Sequence, residues 1–156
     1  MPASLIPAPL PVCSRVPLNR ATSQMRVLAG RIIALERSGP NSAATRIRSA
    51  MPAPERLRPP LASLMGIDGF RALLSRALAL AGAEVPWLRA VRVESDGTLD
   101  GWMQPYALLG PEQYHEGRVV LLAQLLGLLV AFIGERLTLR LLLEEWPKLS
   151  GGDLDF

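Results

Sequence analysis

The chain is nearly without cysteine, histidine and lysine. One cysteine (Cys13), one histidine (His115) and one lysine (Lys148) occur in 156 residues. A solitary thiol excludes an intrachain disulfide and fits a reducing, cytoplasmic compartment. With a single His and a single Cys, no His- or Cys-based zinc site reaches its usual ligand number within one chain. A Ser-His-Asp or Cys-His machine would have to use His115, and no nucleophile-elbow motif accompanies it. His115 lies between Glu112 and Glu116. Carboxylates are favoured near a helix N-terminus, so these two need no catalytic role, and His115 is expected in solvent near a helix start. The expectation is a chain that is not an enzyme, with no metal, no cofactor and no small-molecule ligand.

Aromatic residues are also scarce, at 5 %, and none precedes Phe70. A stacking platform for single-stranded nucleic acid is therefore missing from the first part of the chain. Acids are missing there too: the first is Glu36. Residues 1–60 carry nine Arg against two Glu, a net of +7, and residues 61–156 a net of −4. The two parts can attract each other, or the basic part can meet an acidic partner. Arg20, Arg26, Arg31, Arg37, Arg46, Arg48, Arg56 and Arg58 are the candidate anion or nucleic-acid contacts. Phosphate binding needs only such charge. No helix-turn-helix or zinc-finger spacing accompanies it.

Other site motifs fail on spacing. Gly66 and Gly69 are not followed by the Lys-Ser/Thr of a phosphate loop. Glu94, Asp96 and Asp100 do not match a calcium loop. The N-terminus does not read as a secretory signal, because Pro2, Pro7, Pro9 and Pro11 interrupt any apolar run and the first basic residue is Arg15.

What the sequence does have is one long apolar run. Residues 119–134 read VVLLAQLLGLLVAFIG, with Gln124 the only side-chain hydrogen-bonding group. No proline lies between Pro111 and Pro147. Leucine-rich sequence free of proline predicts a helix over residues 117–146, with Pro111 an alternative start one turn early. A helix apolar on every face is either buried or in lipid. The run of 16 residues falls short of the roughly 20 that a bilayer requires. Extension would carry Glu135, Arg136 and Arg140 into the membrane. A buried core helix is the favoured reading and a membrane-associated one the weaker alternative.

Within this helix Ala123, Gly127 and Ala131 are spaced by four, a row that lets another backbone approach closely. Gly134 is a further small residue in the packing set. Glu135 falls in the middle of an apolar seam running from Leu121 to Trp146. It is a possible buried charge, needing an Arg from the N-terminal part as partner, or the seam rotates there and Glu135 faces water. Arg140 and Glu144, four apart, are placed to pair.

The rest supplies partners for that helix. Residues 1–18 are proline-rich and expected to be extended or disordered. A single helical domain follows over residues 19–149, then a flexible tail at 150–156. Asn19 is an N-cap for a helix over residues 20–37. A short helix is placed in 41–51. Residues 51–60, with four prolines, read as a connector without regular helix. One or two turns follow Pro60, then a break at Gly66 to Gly69, then a helix over 69–84 ended by Pro86. Alternation at Val91 and Val93 before Asp96-Gly97 predicts a short β-hairpin near 90–100, with Trp87 and Trp102 packing across its ends.

The expected fold is mainly α, a small helical bundle around one long C-terminal apolar helix. Two or three neighbours do not cover so apolar a helix. The expected function is therefore a noncatalytic protein–protein interaction or assembly subunit, oligomeric or part of a complex. Its interface would use Ala123, Gly127, Ala131, Gly134, Trp87 and Trp102. The alternative is a basic nucleic-acid-binding accessory protein using residues 1–60.

Overall fold

Gly134 divides the apolar C-terminal part into two helices. In the computed structural model, which describes residues 23–37, 53–101 and 109–149, the fold is mainly α. Among those residues are α1 (Ser23–Arg37), a single turn α2 (Ala53–Arg56), α3 (Arg58–Glu84), a 3-10 turn (Pro86–Ala90), α4 (Pro111–Ile133) and α5 (Glu135–Glu145). A two-stranded antiparallel ribbon pairs β1 (Arg92–Val93) with β2 (Leu99–Asp100).

The expectation of one helix over 117–146 is met at its C-terminal end, takes the alternative start at Pro111, and is corrected in the middle, where the helix breaks. α4 starts at Pro111, where a missing N–H costs nothing in the first turn. It stops at Gly134, whose φ of 88° and ψ of 160° are reached almost only by glycine. A straight helix would hold Arg118 and Glu145 about 40 Å apart. Instead both meet one cluster through Arg56 and Glu36. The chain therefore turns back at Gly134, and α5 lies against α4. The buried Thr138 hydroxyl donates to the Gly134 carbonyl at 2.8 Å, beside the Thr138 N–H that donates to the same oxygen at 3.2 Å, and so reinforces the first turn of α5.

The connector at 51–60 is also corrected. Prolines do not prevent helix there, because Pro59 and Pro60 fall in the first turn of α3, where no N–H is required. The turns expected after Pro60 and the helix expected over 69–84 form α3, which begins at Arg58. The expected break falls at Gly66 alone (φ 81°, ψ 161°), the same glycine-only conformation as at Gly134. Pro86 ends it, after Val85 N–H closes on the Ala81 carbonyl at 2.8 Å.

The core is a single cluster. Leu28, Ala29, Ile32 and Ile33 of α1 join Phe70, Leu74, Ala77 and Ala81 of α3 around Leu121, Leu122, Leu125 and Leu126 of α4. Gln124 is buried with them, and its amide donates to Glu84 Oε1 at 3.3 Å. The other Glu84 oxygen accepts from Arg26. One carboxylate at the end of α3 thus joins α1 to the polar atom of α4.

The ribbon sits on α3. Gly97 takes φ 85° in the turn, and any side chain there would press on the Phe70 ring at 3.1 Å. Asp96 Oδ1 accepts from the Thr98 N–H (3.0 Å) and hydroxyl (2.6 Å). The Thr98 hydroxyl and N–H hold the Asp96 carboxyl below its ordinary value. Buried Glu55 accepts from the Leu99 N–H at 2.7 Å and so ties the ribbon to α2.

Candidate interaction surface

α4 runs between two different sites. At its N-terminal end a carboxylate is buried among cations. The Glu36 side chain is 2 % exposed. Its Oε1 accepts from Arg56 Nη1 at 3.3 Å, and its Oε2 lies 3.6 Å from Arg118 Nη2. Arg56 also donates through Nη2 to the Glu145 carbonyl at 3.2 Å, and its guanidinium carbon sits 4.9 Å from the Trp146 ring centroid. One arginine from α2 therefore fastens the ends of α1 and α5 together, with Arg118 of α4 on the other side. Burial pushes the Glu36 carboxyl above its ordinary value of 4.5, opposed by Arg56, Arg118 and the Trp146 indole. Glu36 Oε2 and the indole N–H remain buried without a well-formed hydrogen bond.

The sequence offered Glu135 as a possible buried charge or as a residue turned to water. The first is corrected and the second holds: Glu135 is exposed in the first turn of α5. The break at Gly134 rotates it out of the seam. The buried carboxylate is Glu36. Its partner Arg56 does come from the N-terminal part, as the pairing argument required, but the acid is a different one.

The same end of α4 is closed by Trp87. Its ring stacks on Tyr114, with centroids 5.6 Å apart and planes inclined by 16°, and its indole N–H donates to the Gln113 carbonyl at 3.3 Å. It lies flat over Gly117, where an added Cβ would fall 2.1 Å from the ring. Sequence reading assigned Trp87 to the ribbon instead. The period of the chain gives no sign that Gly117 is a contact for a tryptophan so distant in sequence. His115 is half-buried rather than solvent-exposed, and its Nδ1 is buried without a hydrogen-bond partner.

At the C-terminal end of α4 the surface is open and apolar. A groove of about 540 Å³ runs between α3 and α4. Met65, Gly69, Ala72, Leu73 and Arg76 form one wall, and Leu128, Ala131 and Phe132 the other. Phe132 is 71 % exposed. Leu64 and Ile67, beside the break in α3, are exposed as well. A second cavity of about 530 Å³ lies between α3 and the 3-10 turn, with Ser75, Arg89 and Arg92 in its lining and no acid or histidine. Among the described residues no group of three or more His, Cys, Asp or Glu is placed to hold a metal.

The expected packing row is split between these environments. Ala123 and Gly127 are buried, whereas Ala131 is exposed and lines the groove. Gly134 acts through its backbone conformation: a Cβ there would meet nothing within 4 Å. Of the basic set, Arg26, Arg56 and Arg58 are engaged within the chain, with Glu84, with Glu36 and with the Asp96 carbonyl respectively. Arg31 is exposed, and Arg37 ends α1. Arg20, Arg46, Arg48, Trp102, the N-terminal stretch 1–18, the short helix in 41–51 and the tail at 150–156 lie outside the described residues.

One helix among the described residues, Glu112–Ile133, is long and apolar enough to cross a membrane, and most of that stretch is buried inside the fold. No family model, curated protein or solved structure matches this chain.

Proposed function

We propose that the protein is a noncatalytic assembly subunit that receives an apolar protein segment in the groove between α3 and the C-terminal end of α4. One observation carries this reading. Phe132, a large apolar side chain, stands 71 % exposed at the rim of an apolar groove of about 540 Å³. Single exposed apolar residues are ordinary, but a concave apolar patch with an aromatic at its edge is the form of a binding surface. Small residues at Gly69, Ala72 and Ala131 keep the groove open. They also allow a partner helix to approach closely.

The groove is tested with an apolar dye whose fluorescence rises on binding. The wild-type chain should enhance it saturably. Ala72→Trp, which fills the groove from an exposed position, should remove most of the enhancement while leaving the helical circular dichroism unchanged. A chain that does not bind the dye, or an Ala72→Trp variant that binds it equally well, overturns the reading.

A further inference from the structure

We infer that the occupant of this groove is a second copy of the same chain, paired about a two-fold axis so that Phe132 of each copy enters the groove of the other. The inference rests on the docking reading above and adds the identity of the partner.

Two features support it. The first is shape. Projection and recess lie side by side on one surface, because Phe132 forms part of the rim of the groove that it leaves open. A surface with a knob beside a hole is complementary to itself under a two-fold rotation, and one contact generates the second at no further geometric cost. An aromatic side chain entering a recess floored by glycine and alanine is also the usual form of an interface anchor.

The second feature is charge. Arg76 is exposed on the α3 wall, and Glu135 is exposed immediately past the break that follows Phe132. Neither has an ion-pair or hydrogen-bond partner among the described residues. Two-fold pairing brings the Glu135 that accompanies each Phe132 toward the other copy's Arg76. The result is two symmetric ion pairs flanking an apolar centre. Arg136 is also exposed, but lies about 100° further round α5 and so does not share the side of Glu135. Such rim pairs fix register more than they add affinity. The surface that lines the groove is well short of the roughly 800 Å² per partner of a standard interface, so the dimer should be reversible and concentration-dependent.

Sedimentation equilibrium of the full chain, 16.9 kDa, reads this directly. The mass should rise from one chain toward two as concentration increases. Phe132→Ser should weaken the dissociation constant by at least about tenfold. Arg76→Glu and Glu135→Arg should each weaken it, and the double charge reversal should recover most of the loss. A dimer indifferent to Phe132→Ser, or a double reversal no better than the single ones, overturns the arrangement. A chain that stays monomeric but still binds the apolar dye overturns self-pairing and leaves the docking reading standing. A monomer that binds no dye has its groove filled by its own residues, and both readings fall. A monomer that instead floats with phosphatidylcholine vesicles identifies lipid as the occupant and overturns both.

Discussion

The two ends of α4 differ although they belong to one continuous helix. The N-terminal end is crowded with specific contacts: Trp87 lies flat on Gly117, and Arg118 completes the buried cluster of Glu36, Arg56 and Trp146. The C-terminal end has the more apolar sequence and fewer neighbours, so Ala131 and Phe132 face outward. The difference teaches that burial along this helix follows the supply of partners rather than hydropathy. Polar residues with matched partners are enclosed, and apolar residues beyond the reach of α1 and α2 are not.

The comparison can be broken most severely at the polar end. Arg56→Ala removes the ion pair to Glu36, the bond to the Glu145 carbonyl and the contact with Trp146. Leaving a buried carboxylate short of its partner costs about 3–5 kcal/mol, which denaturant unfolding would register as a large fall in the midpoint. If stability changes by less than about 1 kcal/mol, the cluster is not a clasp.

Gly117→Ala should come next. The new methyl would displace the Trp87 ring, and overpacking of this kind costs about 1–3 kcal/mol. Trp87→Ala in the same background should relieve the clash, so a double-mutant cycle on thermal unfolding isolates the contact. Gly134→Ala belongs in the same range, about 1–3 kcal/mol, for a reason of backbone conformation alone. There is free space around it, so the cost should persist whatever the neighbours become.

The pH dependence sharpens the contrast further. Burial raises the Glu36 carboxyl above 4.5, so the folded chain holds this proton more tightly than the unfolded chain. Its contribution to stability is complete below the ordinary carboxylate value and is lost as pH rises through the raised one. Glu36→Gln should therefore flatten the stability profile above about pH 4.5. A profile unchanged by the substitution shows that another group governs it.

The smallest effect on stability is expected at the open end. Phe132→Ser removes a large side chain but little burial, and the chain's own unfolding free energy should move by no more than about 0.5 kcal/mol. A loss comparable to that at Arg56 would mean that Phe132 is enclosed, and the distinction between the two ends would vanish.

Much of the secondary structure was legible in residue order. Leucine without proline gave a helix, Pro86 and Pro147 ended helices, and Asp96-Gly97 made the ribbon turn. Legibility failed where two local rules competed. Gly134 reads as a tolerated glycine in a long helix, and only the return of α5 toward Arg56 makes it a reversal. Pro59 and Pro60 read as breakers, whereas a first-turn position makes them compatible with α3. The open groove was foreshadowed only as an excess of apolar surface, since lining residues from Met65 to Phe132 share no pattern in the chain.

The sequence by itself determined that this protein is mainly helical, that its centre is an apolar helix, and that one histidine and one cysteine are too few for a His- or Cys-based zinc site. These follow from composition and from short-range rules of proline, glycine and hydrophobic spacing. Only the tertiary structure decided which carboxylate is buried, which glycine supports a tryptophan and which end of the central helix stays bare. Glu36 and Glu135 are equally acidic in the sequence, and Gly117 and Gly127 equally small. What separates them is the neighbour that folding brings from far along the chain, and neighbours at that distance leave no mark on local order.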